Sequence, residues 1–432
     1  MQTVQTYTPN QREGAKKKPV SKDFSAFANI VEQNAGEAAF LWLLRSQAVT
    51  SSQYYPIDIR ELEGRIEANL EGLSAVGELG WQVCADQLVY EEAGEIFTAA
   101  VVALRSRNAA RIKMVCELAL TMPEMTKGLI SALGWVDAEI AKFWMQRFLS
   151  VSDPRYRMLG LAACSVRRED PGKYFISILQ DQDLSKYPIM HARALRLIGE
   201  LKRRDLIPAL NAAMDSKVPV VKFWANWSAV LLGNQAAVMN LKPYLMEENE
   251  LSDKAIQLVF NLLPVSEGRK WIGELAAVPE LTRMVIKSIG VLGDPHAIPW
   301  LIQQMAVPEM TRIAGCSFSQ ITGIELESAN LVNEQADDIE TGPTDDVADE
   351  AVTMDADEDL PWPNVQKIAK LWRVHNKLLQ PGLRYFQGQE VTKQVLANIF
   401  VSANQQQKQL AALQRAILDE HTMLVNIKAR EH

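Results

Sequence analysis

Between residues 57 and 75 the apolar side chains fall at Ile59, Leu62, Ile66, Leu70 and Leu73, in steps of 3, 4, 4 and 3. That stripe predicts an amphipathic helix with one buried face. Asp58 and Glu61 supply carboxylates for the free N–H groups of its first turn. Further along, the pattern recurs in a larger frame. PEMTKGLISALG at 123–134 is rewritten as PELTRMVIKSIG at 279–290, and PEMTRIAGCSFSQITG begins at Pro308. Prolines at 123, 154, 188, 219, 279 and 308 are separated by 31, 34, 31, 60 and 29 residues, and the gap of 60 is two periods whose middle start falls near Asn249. Proline suits the first turn of a helix, because its missing N–H has no intrahelical partner there and its φ is already helical. Gly134, Gly199 and Gly290 each follow a proline by eleven residues, a spacing that predicts a left-handed C-cap.

A second helix follows each first one. In VLGDPHAIPWLIQQM, Asp294 can cap, Pro295 can begin the helix, and Ile298, Leu301, Ile302 and Met305 form its apolar face; ELKRRDLIPALNAAM repeats the arrangement. A lone hairpin of about thirty residues cannot bury its apolar face, so neighbours must stack into a continuous core. The prediction is an all-α solenoid. Residues from about 60 to 323 form consecutive antiparallel helical pairs without β-sheet, and the first helices share one surface.

Around this array the composition shifts. Residues 1–26 are polar, with the cluster Lys16-Lys17-Lys18, and read as a flexible tail. Residues 27–107 form an N-terminal helical region and 108–326 the repeats. Residues 327–360 are an acidic linker, too poor in large apolar side chains to pack, and 361–432 regain helical periodicity, with LAALQRAIL as a cap for the apolar end of the array. The formal net charge is −8, yet twelve Asp or Glu and no Lys or Arg lie between Glu334 and Asp359. Setting these aside turns −8 into +4, so the folded parts are near neutral and a broad nucleic-acid surface is not expected.

Little in the chain points to chemistry. Cys84, Cys116, Cys164 and Cys316 have no CxxC or Cys/His spacing and read as small buried residues, which suits a reducing, cytoplasmic compartment. The first residues lack the apolar core of a signal peptide, and AAFLWLL is too short to cross a bilayer. The five histidines are dispersed, and no phosphate-binding, dinucleotide-binding or nucleophile-elbow motif occurs. DADEDL resembles the start of a calcium loop, but Leu360 stands where glycine is needed and Gln366 where a bidentate Glu is needed. Neither a catalytic residue nor a cofactor or metal site is expected.

Two features suit a protein partner. Arg167-Arg168 and Arg203-Arg204 lie thirty-six residues apart and should fall on one edge of adjacent units, either as solvated interhelical loop charges diluted by the acids that follow each pair or as a site for an acidic or phosphate-bearing partner. KFWANWS places Trp224 and Trp227 on one face of a first helix, where they serve either as core or as interface anchors.

IGVLGDPHAIPWLIQQM resembles HEAT-like repeats of the phycobilin-lyase subgroup, whose second helices begin with a G-D-P-x-A-I-P-x-L pattern. VEQNAGEAAFLWLLRSQAV, ELEGRIEANLEGLSAVGELGW, FSQITGIEL, DLPWPNVQKIAKLW and PGLRYFQGQ, in that order, resemble a bacterial HEAT-like repeat family encoded near type VI secretion genes. The resemblance implies a HEAT-like α-solenoid and a non-enzymatic scaffold, an adaptor or chaperone whose protein partner is a secreted effector or spike component. Alternatives are an immunity protein that occludes a toxin, or a HEAT-like repeat enzyme acting on a protein modification or, like the HEAT-like DNA glycosylases, on nucleic acid. The last needs a basic concave groove with an inward carboxylate.

Overall fold

The computed structural model describes residues 22–333 and 356–430. The Lys16-Lys17-Lys18 cluster and residues 334–355 of the acidic stretch lie outside the described residues.

The predicted starts are where the helices begin. First helices run over Pro123–Trp135, Pro154–Arg167, Pro188–Glu200 and Pro219–Leu231. Pro279 and Pro308 open single 3-10 turns that lead into Thr282–Leu292 and Thr311–Thr322. The proline-free start is also present. Asn249 accepts hydrogen bonds from the N–H groups of Leu251 and Ser252, at 2.9 and 3.2 Å, and its own N–H donates to Ser252 Oγ at 2.8 Å, so a capping box replaces proline at the head of Glu250–Leu262. Each first helix packs on the next, and Lys22–Ala48 and Ala93–Arg105 extend the row at its front. Second helices cover the other side. Among the described residues the one sheet is a hairpin of Tyr385–Phe386 and Gln389–Glu390, outside the repeats.

The three period glycines are not left-handed caps. Gly134, Gly199 and Gly290 lie within the last turn of their helices. Each helix runs on by one or two residues; Pro123–Trp135 ends at Val136 in extended backbone, whereas left-handed residues stop five other first helices: Arg168 (φ 56°), Lys202 (φ 57°), Gly233, Gly293 and Gly323. What the period glycines supply is room. A methyl group on Gly199 would run into Ser228 of the next first helix, and one on Gly290 would run into Ser317. In both units that serine donates across the gap to the carbonyl four residues before the glycine, Ser228 Oγ to Leu195 O at 2.8 Å and Ser317 Oγ to Ile286 O at 3.0 Å. The repeat is thus written in its contacts as well as its starts.

The row closes on itself. Tyr55, at the head of Pro56–Ala75, donates its hydroxyl to Glu325 Oε1 at 3.1 Å, just beyond the last first helix. Gln53 Nε2 donates to the carbonyl of Asp359 at 3.0 Å, and the N–H of Gln405 to that of Tyr54 at 2.8 Å. The array is a ring, and the C-terminal segment seals it from within. Helix Gln405–Leu418 packs on Glu250–Leu262 and receives Lys202 Nζ on the carbonyl of Ala416 at 2.8 Å. LAALQRAIL is therefore buried inside the ring and does not cap its end: a closed array has no apolar end to cover.

Boundaries shift accordingly. A helix already begins at Lys22, inside the stretch assigned to the tail. The flanks of the assigned linker are built in. Leu331 is buried, Val332 bridges Pro363, and Asp357 is buried in an ion pair with Arg283.

The close helix approach yields a paired test. Gly128 faces the backbone of Ala93 and Phe97, so Gly128→Ala forces two helices apart and should cost about 1–3 kcal/mol. Gly273 lies in the helix Val265–Ala276, and nothing stands within 4 Å of the place a methyl group would take, so Gly273→Ala should gain up to about 1 kcal/mol. Equilibrium denaturation of the two variants checks the opposite signs.

Candidate functional site

A solvent-open chamber of about 510 Å³ lies on the inner face of the ring. Three consecutive first helices line its wall: the equivalent pairs Arg193 and Arg196, and Trp224 and Trp227, five and eight positions after their helix starts, and Lys254 and Gln257 of the third, displaced by one residue. Trp42 and Arg45 of the Lys22–Ala48 helix face them across the chamber, with Leu413 of the inner helix.

Trp224 and Trp227 are only 7% and 5% exposed and meet edge to face at 5.3 Å, so they are packing residues whose rims reach the chamber. The Arg196 guanidinium sits over Trp224 at 4.6 Å. Below lies Glu200, without exposed surface. Arg196 Nε donates to its Oε1 at 2.8 Å, Arg168 pairs with Oε2 at 3.2 Å, and the Ser165 hydroxyl donates to the same oxygen. Burial alone would raise the acid's pKa, but Arg196, Arg168 and the serine outweigh it and hold the carboxyl below its ordinary value. Burial drives the Arg193 guanidinium the other way, down to about 10, helped by its neighbour Arg196.

The four arginines of the sequence pairs do come to one edge, and they are spent within the chain. Arg167 donates to the carbonyl of Val136 at 3.0 Å and to Glu169 at 2.7 Å, closing the end of the preceding first helix. Arg203 pairs with Asp205 and, across units, with Asp170; Arg204 pairs with Glu420. Arg168 Nε donates to the carbonyl of Leu424.

That last contact belongs to a strip the sequence did not announce. Residues 419–430 leave the inner helix and run back along the ring. Leu424 N–H donates to Glu200 O at 3.1 Å, Asn426 Nδ2 to Val166 O at 2.9 Å, and both Arg45 Nη atoms to Lys428 O at 3.2 Å. Arg430 ends the run against Glu67 at 2.8 Å and over the Trp135 ring at 4.7 Å. Much of this is main-chain recognition, which hydropathy and charge do not reveal. Arg193 and Arg196 were legible in principle, by aligning their unit with the one that carries Trp224 and Trp227; Lys254, one residue out of that register, was not.

The remaining expectations concern metals, thiols and membranes. Among the described residues no three His, Cys, Asp or Glu gather to hold a metal. Cys84, Cys116 and Cys164 are buried free thiols, each pushed up to about 12 by burial, and Cys316 borders a second cavity of about 480 Å³ at the ring's seam. No described helix is long and apolar enough to cross a membrane. In comparisons with protein-family models, curated proteins and solved structures, the chain matches none.

Two stability tests follow from the chamber wall. Trp227→Ala should lose about 3–5 kcal/mol by opening a void under the chamber, read by urea denaturation. Glu200→Gln strips both arginines of a buried counter-charge and should cost about 3–5 kcal/mol at neutral pH. Since the folded pKa of Glu200 lies below the unfolded value, its stabilisation is complete above about pH 4.5 and fades as pH falls through the folded value. The gap between wild type and variant should therefore narrow below about pH 4.

Proposed function

We propose that the chain is a non-catalytic scaffold that holds a polypeptide segment along the inner face of its ring. The observation that supports this is the grip on residues 419–430. Four wall residues, Arg45, Val166, Arg168 and Glu200, engage that run, and Arg45, Arg168 and Glu200 do so through its main chain. Main-chain contacts are indifferent to side-chain identity, so a wall that holds one extended run by them is suited to hold another. On the family resemblance, the partner is a type VI secretion effector or a spike component, and the protein acts in the cytoplasm as its adaptor or chaperone.

The competing enzyme reading asks for a basic concave wall and an inward carboxylate. The wall is basic, but Glu200 has no exposed surface and both its oxygens are occupied by Arg196, Arg168 and Ser165. It cannot approach a reacting base in this arrangement.

The test is site-specific photo-crosslinking in the native host, with the reactive group at Lys127, an exposed position on the chamber rim. The full chain should cross-link to its own C-terminal segment. In the full-length double variant Asn426→Ala/Arg430→Ala, which loosens that segment, adducts to a second polypeptide should increase several-fold. Self-adducts alone in both proteins would reject the scaffold reading, and unchanged secretion after gene deletion would reject the adaptor role.

A further inference from the structure

The chamber carries more positive charge than its own acids answer. Glu200 is shared between Arg168 and Arg196, and Arg45 is matched by Glu63 at 2.5 Å. Among the described residues, Arg193 makes no hydrogen bond or ion pair through its guanidinium, and Lys428 makes none through its ammonium. Both line the same cavity as Arg196 and Lys254. These groups are close enough to repel. Burial and the neighbouring cations Lys254 and Arg196 depress Lys428, and burial and Arg196 depress Arg193. Arg193 and Lys254 are half-buried and Lys428 is exposed, so cations that repel one another face an anion arriving from solution in a cavity open to it.

We propose that the chamber is a binding site for a small multivalent anion, a polyphosphate-bearing molecule, held by Arg193, Arg196, Lys254 and Lys428. The volume, about 510 Å³, lies in the range of small-molecule sites. Guanidinium forks match phosphate oxygens in bidentate geometry, and the two lysines add point charges, so a compact group bearing several negative charges suits the set better than a single carboxylate. The ligand would also join two parts of the chain, since Lys428 comes from the C-terminal run and the other three from the ring wall. Occupancy then holds that run in place. The site does not depend on the polypeptide reading: an inorganic ligand tests it alone.

The experiment is thermal melting and calorimetric titration of the full chain with sodium tripolyphosphate at fixed ionic strength. Wild type should bind at one site per chain, with a saturable Tm rise of ~3–5 °C at a hundredfold excess over Kd. Arg193→Gln/Lys428→Gln should melt, without ligand, close to the wild-type temperature, because it relieves repulsion from Arg196 and Lys254 while giving up only the longer-range attraction of Arg193 for Glu200, and should bind at least tenfold more weakly. Lys428→Gln alone, altered only in the C-terminal run, should show an intermediate loss. Lys113→Gln, on an exposed helix face, should respond like wild type. The proposal is overturned by no saturable response in wild type, by an equal response in the double variant, or by the same rise with sodium chloride at matched ionic strength. Any of these leaves the cross-linking result untouched.

Discussion

The structure depends on how closely consecutive first helices approach. Where Gly199 meets Ser228, and Gly290 meets Ser317, backbones come near enough for a hydroxyl to reach the neighbouring helix's carbonyl. The hydroxyls satisfy themselves inside an apolar layer, which removes the cost of burying them. Small residues at this seam leave the outer side to bulkier second helices such as Val265–Ala276, with Trp271 buried. The row bends far enough for Tyr55 to meet Glu325, and without that bend there is neither a seam nor a chamber.

How much of this was legible follows from what each signal encodes. Proline marks helix starts because its constraint is local, so the starts at 123, 154, 188 and 219 stand in sequence and structure alike. Asn249 carried the same message in side-chain hydrogen bonding. Glycine is ambiguous, because a missing side chain serves a left-handed φ and a tight contact equally well; Gly134, Gly199 and Gly290 serve the contact. The KFWANWS aromatics resolve into core residues with rims on the chamber. The charges of Arg167-Arg168 and Arg203-Arg204 drew attention through adjacency, whereas Arg193 and Arg196 sit one turn apart within HARALRLIGE and look like ordinary helix polarity until the ring places them indoors.

The C-terminal segment was least legible because its work is done on backbone groups. A helix ends with carbonyls that lack intrahelical partners. Arg384 serves those of Phe260 and Leu263, Tyr385 N–H that of Gly293, Gln387 and Gly388 those of Gln320 and Ile321, and Asn426 that of Val166. One strip thus finishes the ends of many units. Carbonyls are the same at every position of every chain, so no residue pattern advertises where such a strip will lie.

Closure of the ring also sets when the molecule can be finished. Open solenoids grow by nearest-neighbour contacts and can fold from one end as they are made. Here Tyr54 waits for Gln405, Glu67 for Arg430 and Arg45 for the carbonyl of Lys428, separations of 351, 363 and 383 residues. Contacts of such range form late, and each of them requires residues made more than 350 positions after their partners. A growing chain therefore presents an unsealed inner wall until residues 405–430 have been made, and those residues arrive at it late.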